Sequence, residues 1–214
     1  MSVAGPTRPQ AASLVNPLKE GPVVLVTAVG EAEGSRGAAA ALACARATVD
    51  EATLLVEVGG RPPRPTLIAS AAAQKLEERL GSHLPQARVA ARGQVCHLAV
   101  PADADGLGAA AAAATVARGA AVVVHLPPDL FQSAITEESM LHLSGVLLRA
   151  DLHCDRSLVA LAVRDLIDRG VPSAVLKHRL SWVAERRALF GILPAGSPGG
   201  LPERLVRRLC GAAR

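Results

Sequence analysis

From Val23 onward, short runs of β-branched and aliphatic residues alternate with longer alanine- and leucine-rich segments of helical period. This alternation constrains the fold more than any other feature. A strand buried on both faces reads as a continuous apolar run, whereas a helix laid on a sheet repeats its apolar residues every three to four positions. Strand–helix units in series specify parallel strands joined by crossover helices, hence an α/β fold with a mostly parallel sheet. The expected strands are Val23–Val29, Thr53–Val58, Val95–Val100, Ala121–Leu126, Gly145–Ala150, Ser173–His178 and Leu189–Leu193. The expected helices are Gly37–Thr48, Thr66–Leu80, Asp105–Arg118, Glu137–Leu143, Arg156–Arg169 and Pro202–Cys210.

A chain of 214 residues, 50% hydrophobic, is long enough for one well-buried domain and short for two. That domain is placed at 22–214, behind a poorly ordered leader at 1–21 that mixes Pro, Gly and Ser without a period. Phe131, Trp182 and Phe190 are the only aromatic residues, so the core must be built from Ala, Leu and Val. The same scarcity removes the stacking platforms that single-stranded nucleic acid requires. The net charge of +4 comes from dispersed arginines, and no specific nucleic acid is expected.

Cys44, Cys96, Cys154 and Cys210 form no C-x-x-C pair and follow no secretory segment, which predicts a reduced, cytoplasmic setting. Leu107–Pro127 is apolar but interrupted by Arg118 and His125, so it reads as a helix followed by a strand rather than a membrane span. The run Ala109–Ala114 fits an ordinary packed helix, because alanine is the best helix former.

The first strand leads through Gly30, Glu31, Ala32, Glu33, Gly34, Ser35, Arg36 and Gly37 into an alanine-rich helix. A strand, a glycine-containing loop and a helix are the context of a phosphate-binding P-loop. Laid on G-x-x-x-x-G-K-[ST], Gly30 takes the first glycine, Ser35 the second, Arg36 the lysine and Gly37 the hydroxyl position. Arg36 can pair with a phosphate, but Gly37 supplies no hydroxyl for Mg²⁺. Glu31 and Glu33 would face a triphosphate with like charge in a low dielectric, so ATP with Mg²⁺ is disfavoured.

Three further segments follow in order: Leu54–Leu67, Ala121–Pro128, and Ser173–Arg179 before Ala188–Pro194. Together with the loop they resemble the MinD/ParA group of P-loop ATPases over roughly residues 22–210, with each nucleotide-handling position altered. Glu57 and Gly59 stand where that family's second strand carries aspartates, and His125 takes the place of the Walker B aspartate. Lys177 and His178 fall near the point where the family usually has an asparagine against adenine. The signature lysine that crosses the family's nucleotide-sandwich dimer would fall near Glu31.

The resemblance implies a three-layer α-β-α fold around about seven strands. It also implies a pseudo-ATPase: a scaffold or positioning factor with no catalytic residues, no metal and an unidentified protein partner, with a homodimer allowed. The altered motifs look most like the CpaE/TadZ branch. A divergent ATP-binding ATPase with Arg36 as the phosphate cation is the alternative, and a DNA-associated partition protein a third reading. Pro202–Gly211 carries arginines opposite Leu205, Val206 and Leu209, like the basic C-terminal helix that MinD-like proteins use at membranes, so peripheral membrane contact is a further expectation.

The remaining candidates read as structural. Asp151, His153, Cys154 and Asp155 lie too close along one loop for a spatial metal site, and Asp155 is expected to cap the next helix. His97, His125 and His142 lack ligand spacing and are expected as satisfied histidines. Glu137 and Glu138 follow Thr136 as first-turn charges would. Arg61–Pro65 is expected as a rigid loop.

Overall fold

The computed structural model describes residues 23–30, 34–48, 51–61, 68–85, 87–102, 104–117, 119–131, 143–177, 180–190, 193–194 and 196–210. Its strands are β1 (Val23–Ala28), β2 (Thr53–Val58), β3 (Arg88–Arg92), β4 (Val95–Val100), β5 (Ala121–His125), β6 (Leu143–Arg149) and β7 (Ser173–Leu176). Its helices are α1 (Ser35–Arg46), α2 (Ala71–His83), α3 (Ala104–Val116), α4 (Arg156–Asp168), α5 (Trp182–Leu189) and α6 (Glu203–Cys210).

The strands form one sheet in the order β3-β4-β2-β5-β1-β6-β7. Every pairing is parallel except that of β3 with β4. The central strands are apolar on both sides, as a sheet covered on both faces requires. On one face Leu54, Val56, Leu98, Val122 and Leu148 meet α2, α3 and α4 through Leu76, Leu80, Ala113 and Leu166. On the other, Val24, Val26, Leu55, Val123 and Leu147 meet α1, α5 and α6 through Leu42, Ala188, Leu205 and Leu209. The result is a three-layer α/β arrangement whose core is Ala, Leu and Val, as composition demanded.

Helix α1 is buried from Gly37 to Cys44. Its alanines let it lie close to the sheet and beneath α5 at once. Side-chain caps start three other helices: Ser70 accepts from Ala73 N at 3.1 Å, Asp155 from Ser157 N at 2.8 Å and Ser181 from Ala184 N at 3.2 Å. The capping role expected of Asp155 is therefore present.

The structure departs from the sequence reading in four places. Leu189–Leu193 is not a strand: Leu189 ends α5, Phe190 follows in a turn, and 191–192 lie outside the described residues. Ser181 caps a helix just upstream, and that helix consumes the first residue of the expected strand. The seventh strand is instead β3, whose Arg88 and Arg92 obscure its short apolar centre and which pairs back on β4 across Gly93 and Gln94. The helix expected from Thr66 begins at Ala71 because Ser70 caps it there, and 66–67 lie outside the described residues. Leu143, expected to end a helix, opens β6; Glu137, Glu138 and His142 lie outside the described residues, as do 1–22 and most of Arg61–Pro65.

Candidate functional site

A polar cluster forms where β2 and β5 end and α1 begins. Because β2 lies between β4 and β5, Glu57 is level with Ala99 on one side and His125 on the other. Side chains alternate across a strand, so Glu57 shares the α1 face with Leu55, and His97 on β4, level with Leu55, faces the same way. Arg36, in the first turn of α1, reaches down to this face from above.

Arg36 grips Glu57 with both ends of its guanidinium: Nε donates to Oε1 and Nη2 donates to Oε2 at 3.0 Å. Glu57 is fully buried. His97 Nε2 lies 2.5 Å from Glu57 Oε2 as an electrostatic contact without well-formed hydrogen-bond geometry. Burial alone would raise the Glu57 pKa, but the interactions with His97 and Arg36 outweigh it and hold the carboxyl at about 2. Glu57 is thus a permanent buried anion, matched by a fixed cation.

Ser35 Oγ is 3.0 Å from His125 Nε2 at the end of β5. Burial pushes the His125 pKa below 6.5; Glu57 opposes that shift and Arg36 reinforces it. The imidazole is therefore neutral at pH 7. Gly37 faces α5, where a Cβ would stand 2.4 Å from Glu185 Cγ and 2.6 Å from its Oε1. The position that would carry a metal-binding hydroxyl in a P-loop is thus bare, and the Glu185 side chain fills its space.

The structure therefore brings together Ser35, Arg36, Gly37, Glu57 and His125. Gly59 stands apart: its N donates to Val100 O at 2.8 Å, and it packs toward Ala102. Gly30 and Gly34 flank the loop in left-handed conformations, at φ 67° and 85°. Gly34 precedes α1 without a side-chain cap, and Glu31 lies outside the described residues.

Four neighbours of this region were not read from the sequence as part of it. His97 and Glu185 are two. Arg149, 1% exposed at the end of β6, donates from Nη1 to Ala150 O and, at 3.1 Å, to Leu176 O; its Nη2 donates to Asp151 Oδ1 at 2.9 Å. Cys154 Sγ lies 3.6 Å from Val29 O, against Gly30. The signal available for one of them was a charge inside an apolar strand: Arg149 in LSGVLLR demands acceptors.

Asp151, Cys154 and Asp155 are engaged with Arg149, Val29 and Ser157 respectively, and no group of three or more metal-ligating side chains occurs among the described residues. Nor, among those residues, is any helix long and apolar enough to cross a membrane. The groups at the start of α1 do not fit Mg²⁺-ATP: Arg36 is neutralised by Glu57, the nearby strand end offers the His125 imidazole in place of a carboxylate, and Gly37 offers no hydroxyl.

No family model matches this sequence, and no curated protein matches it significantly.

Proposed function

We propose that this protein is a MinD/ParA-like pseudo-ATPase that acts by binding another protein, as a scaffold or positioning factor. The observation that carries this reading is the closure of Arg36 onto Glu57. In an active loop the cation must be free to meet phosphate oxygens. Here a nucleotide would have to displace a buried carboxylate, leaving it without its bidentate partner, and stranding a buried charge costs several kcal/mol. Ser35 Oγ is likewise engaged with His125, and Glu185 fills the space beside Gly37, so the side chains at the start of α1 face one another rather than a ligand.

The CpaE/TadZ-like branch remains the family reading that suits these altered motifs. A divergent ATP-binding protein is the second reading. It is favoured by one feature, the uncapped start of α1 behind Gly34, where backbone N–H groups and the helix dipole attract anions.

A thermal melt with Mg-ATP and ADP separates the two. Micromolar affinity at millimolar nucleotide stabilises by about 4 kcal/mol, or on the order of 10 °C in a chain of this size. The pseudo-ATPase reading expects no shift and no phosphate release; a shift of that size with turnover would establish the second reading.

A further inference from the structure

We infer that the outer surface of α5 and α6 is a docking surface for an acidic protein segment. The inference rests on the protein-binding reading and names the chemistry of its partner. The charge of this molecule is unevenly placed. Helix α2 balances Lys75 and Arg79 against Glu77 and Glu78, and α4 balances Arg156 and Arg164 against Asp165 and Asp168. Helices α5 and α6 together hold five arginines against Glu185 and Glu203.

On α6, Arg204, Arg207 and Arg208 fall on one face by helical spacing, opposite buried Leu205 and Leu209. Glu203 accepts from Arg207 Nη2 at 2.6 Å, which leaves Arg204 and Arg208 as exposed cations. Arg187 is exposed on α5. The two helices belong to one layer: Ala188, Leu205 and Leu209 share a core, and Gly200 approaches Ala184, with a Cβ there 3.7 Å from Ala184 Cβ.

Two observations and the protein-binding reading choose the partner class. The apolar side of α6 is already buried against the sheet, so it has no free face to insert into a bilayer. Non-specific duplex binding grows with the number of phosphates neutralised, and Arg187, Arg204 and Arg208 supply few exposed cations for that. Planar guanidinium groups bind carboxylates and phosphates alike in pairs of parallel hydrogen bonds, and the protein-binding reading selects the carboxylate side chains of an acidic segment.

The test is fluorescence anisotropy of a labelled twelve-residue Asp/Glu-rich peptide titrated with the full chain, with a duplex DNA and phosphatidylglycerol vesicles as competitors. The expected result is saturable binding that weakens with salt and falls at least tenfold in Arg204→Glu/Arg208→Glu. Arg164→Glu, on the opposite layer, should bind as the parent does, and melting curves should show all variants folded. Absence of peptide binding, equal binding by the double variant, or displacement of peptide by DNA or vesicles at lower concentration would each overturn the inference. Nucleotide binding is read separately on the same protein, so a failure of the pseudo-ATPase reading is distinguishable from a failure of this one.

Discussion

Arg36 and Glu57 are joined through both carboxylate oxygens, so the first turn of α1 is pinned to the end of β2. Glu57 is buried, while the Arg36 side chain is 44% exposed, and the two partners should respond differently to substitution. Arg36→Ala leaves a buried carboxylate with only His97 beside it. Glu57→Ala leaves a cation that can turn outward into water. Removing one member of a fully buried pair costs roughly 3–5 kcal/mol; with Arg36 44% exposed we expect the low end, about 3 kcal/mol, for Arg36→Ala and roughly 1–2 kcal/mol for Glu57→Ala. Urea unfolding of the two variants measures the difference, and equal losses would mean that the pair behaves as a surface contact.

The same carboxylate fixes the acid limb of stability. Its folded pKa is about 2, against an ordinary value of 4.5. The stabilisation is therefore complete above pH 4.5 and is lost as pH falls from there toward 2, because the unfolded chain takes up the proton first. His125 adds to the loss earlier: its folded pKa is also depressed, so protonation below about pH 6.5 favours the unfolded state. Stability measured against pH should fall less between 4.5 and 2 in Glu57→Gln than in the parent; an unchanged slope would mean that Glu57 is not a buried anion.

Thiol chemistry should separate the cysteines. Burial raises Cys44 to about 11 and Cys96 to about 12, which leaves almost no thiolate at neutral pH. Cys154 is half-buried beside Gly30. Brief maleimide treatment of the native protein followed by peptide mass mapping should label Cys154 well before Cys44 or Cys96. Labelling of all three at one rate would show the alanine-rich layer opening globally.

Two glycines should respond with opposite sign. Gly59 has φ 71°, and a Cβ there would lie 2.9 Å from Ala102 Cβ. Gly59→Ala should cost about 1–3 kcal/mol, the left-handed backbone alone accounting for 1–2. Gly108 lies exposed within α3 with nothing near its missing Cβ. Gly108→Ala should add roughly 0.5–1 kcal/mol through helix propensity. Melting temperatures of the two variants decide it.

Much of this architecture was legible in the sequence because buried parallel strands advertise themselves: VVLVTA and TLLVEV admit few other readings. Among the described residues, five expected helices are present with shifted ends, and six of the seven expected strands are present, Thr53–Val58 and Val95–Val100 with the expected bounds. What escaped was the edge of the sheet and the short α5, where local signals are weak. RVAAR carries charges at both ends, and α5 has only two turns in which to show a period. The site was legible as positions but not as contacts. The sequence marks Glu57, His125, Ser35 and Arg36 individually, but Arg36 meets Glu57 across 21 residues and Ser35 meets His125 across 90, and no spacing rule reports such pairs. His97 read as an isolated histidine because its partner is on the neighbouring strand. Glu185 could not be placed at all, since its position depends on the unexpected α5.

The closure of Arg36 onto Glu57 leaves the start of α1 without a free side-chain cation for a nucleotide phosphate. Isothermal titration of the full chain with Mg-ATP and with ADP, at near-physiological salt, tests it most directly. The account predicts no binding heat up to millimolar nucleotide. Saturable micromolar binding that is lost in Arg36→Ala would contradict it, because Arg36 would then be serving a phosphate and not Glu57.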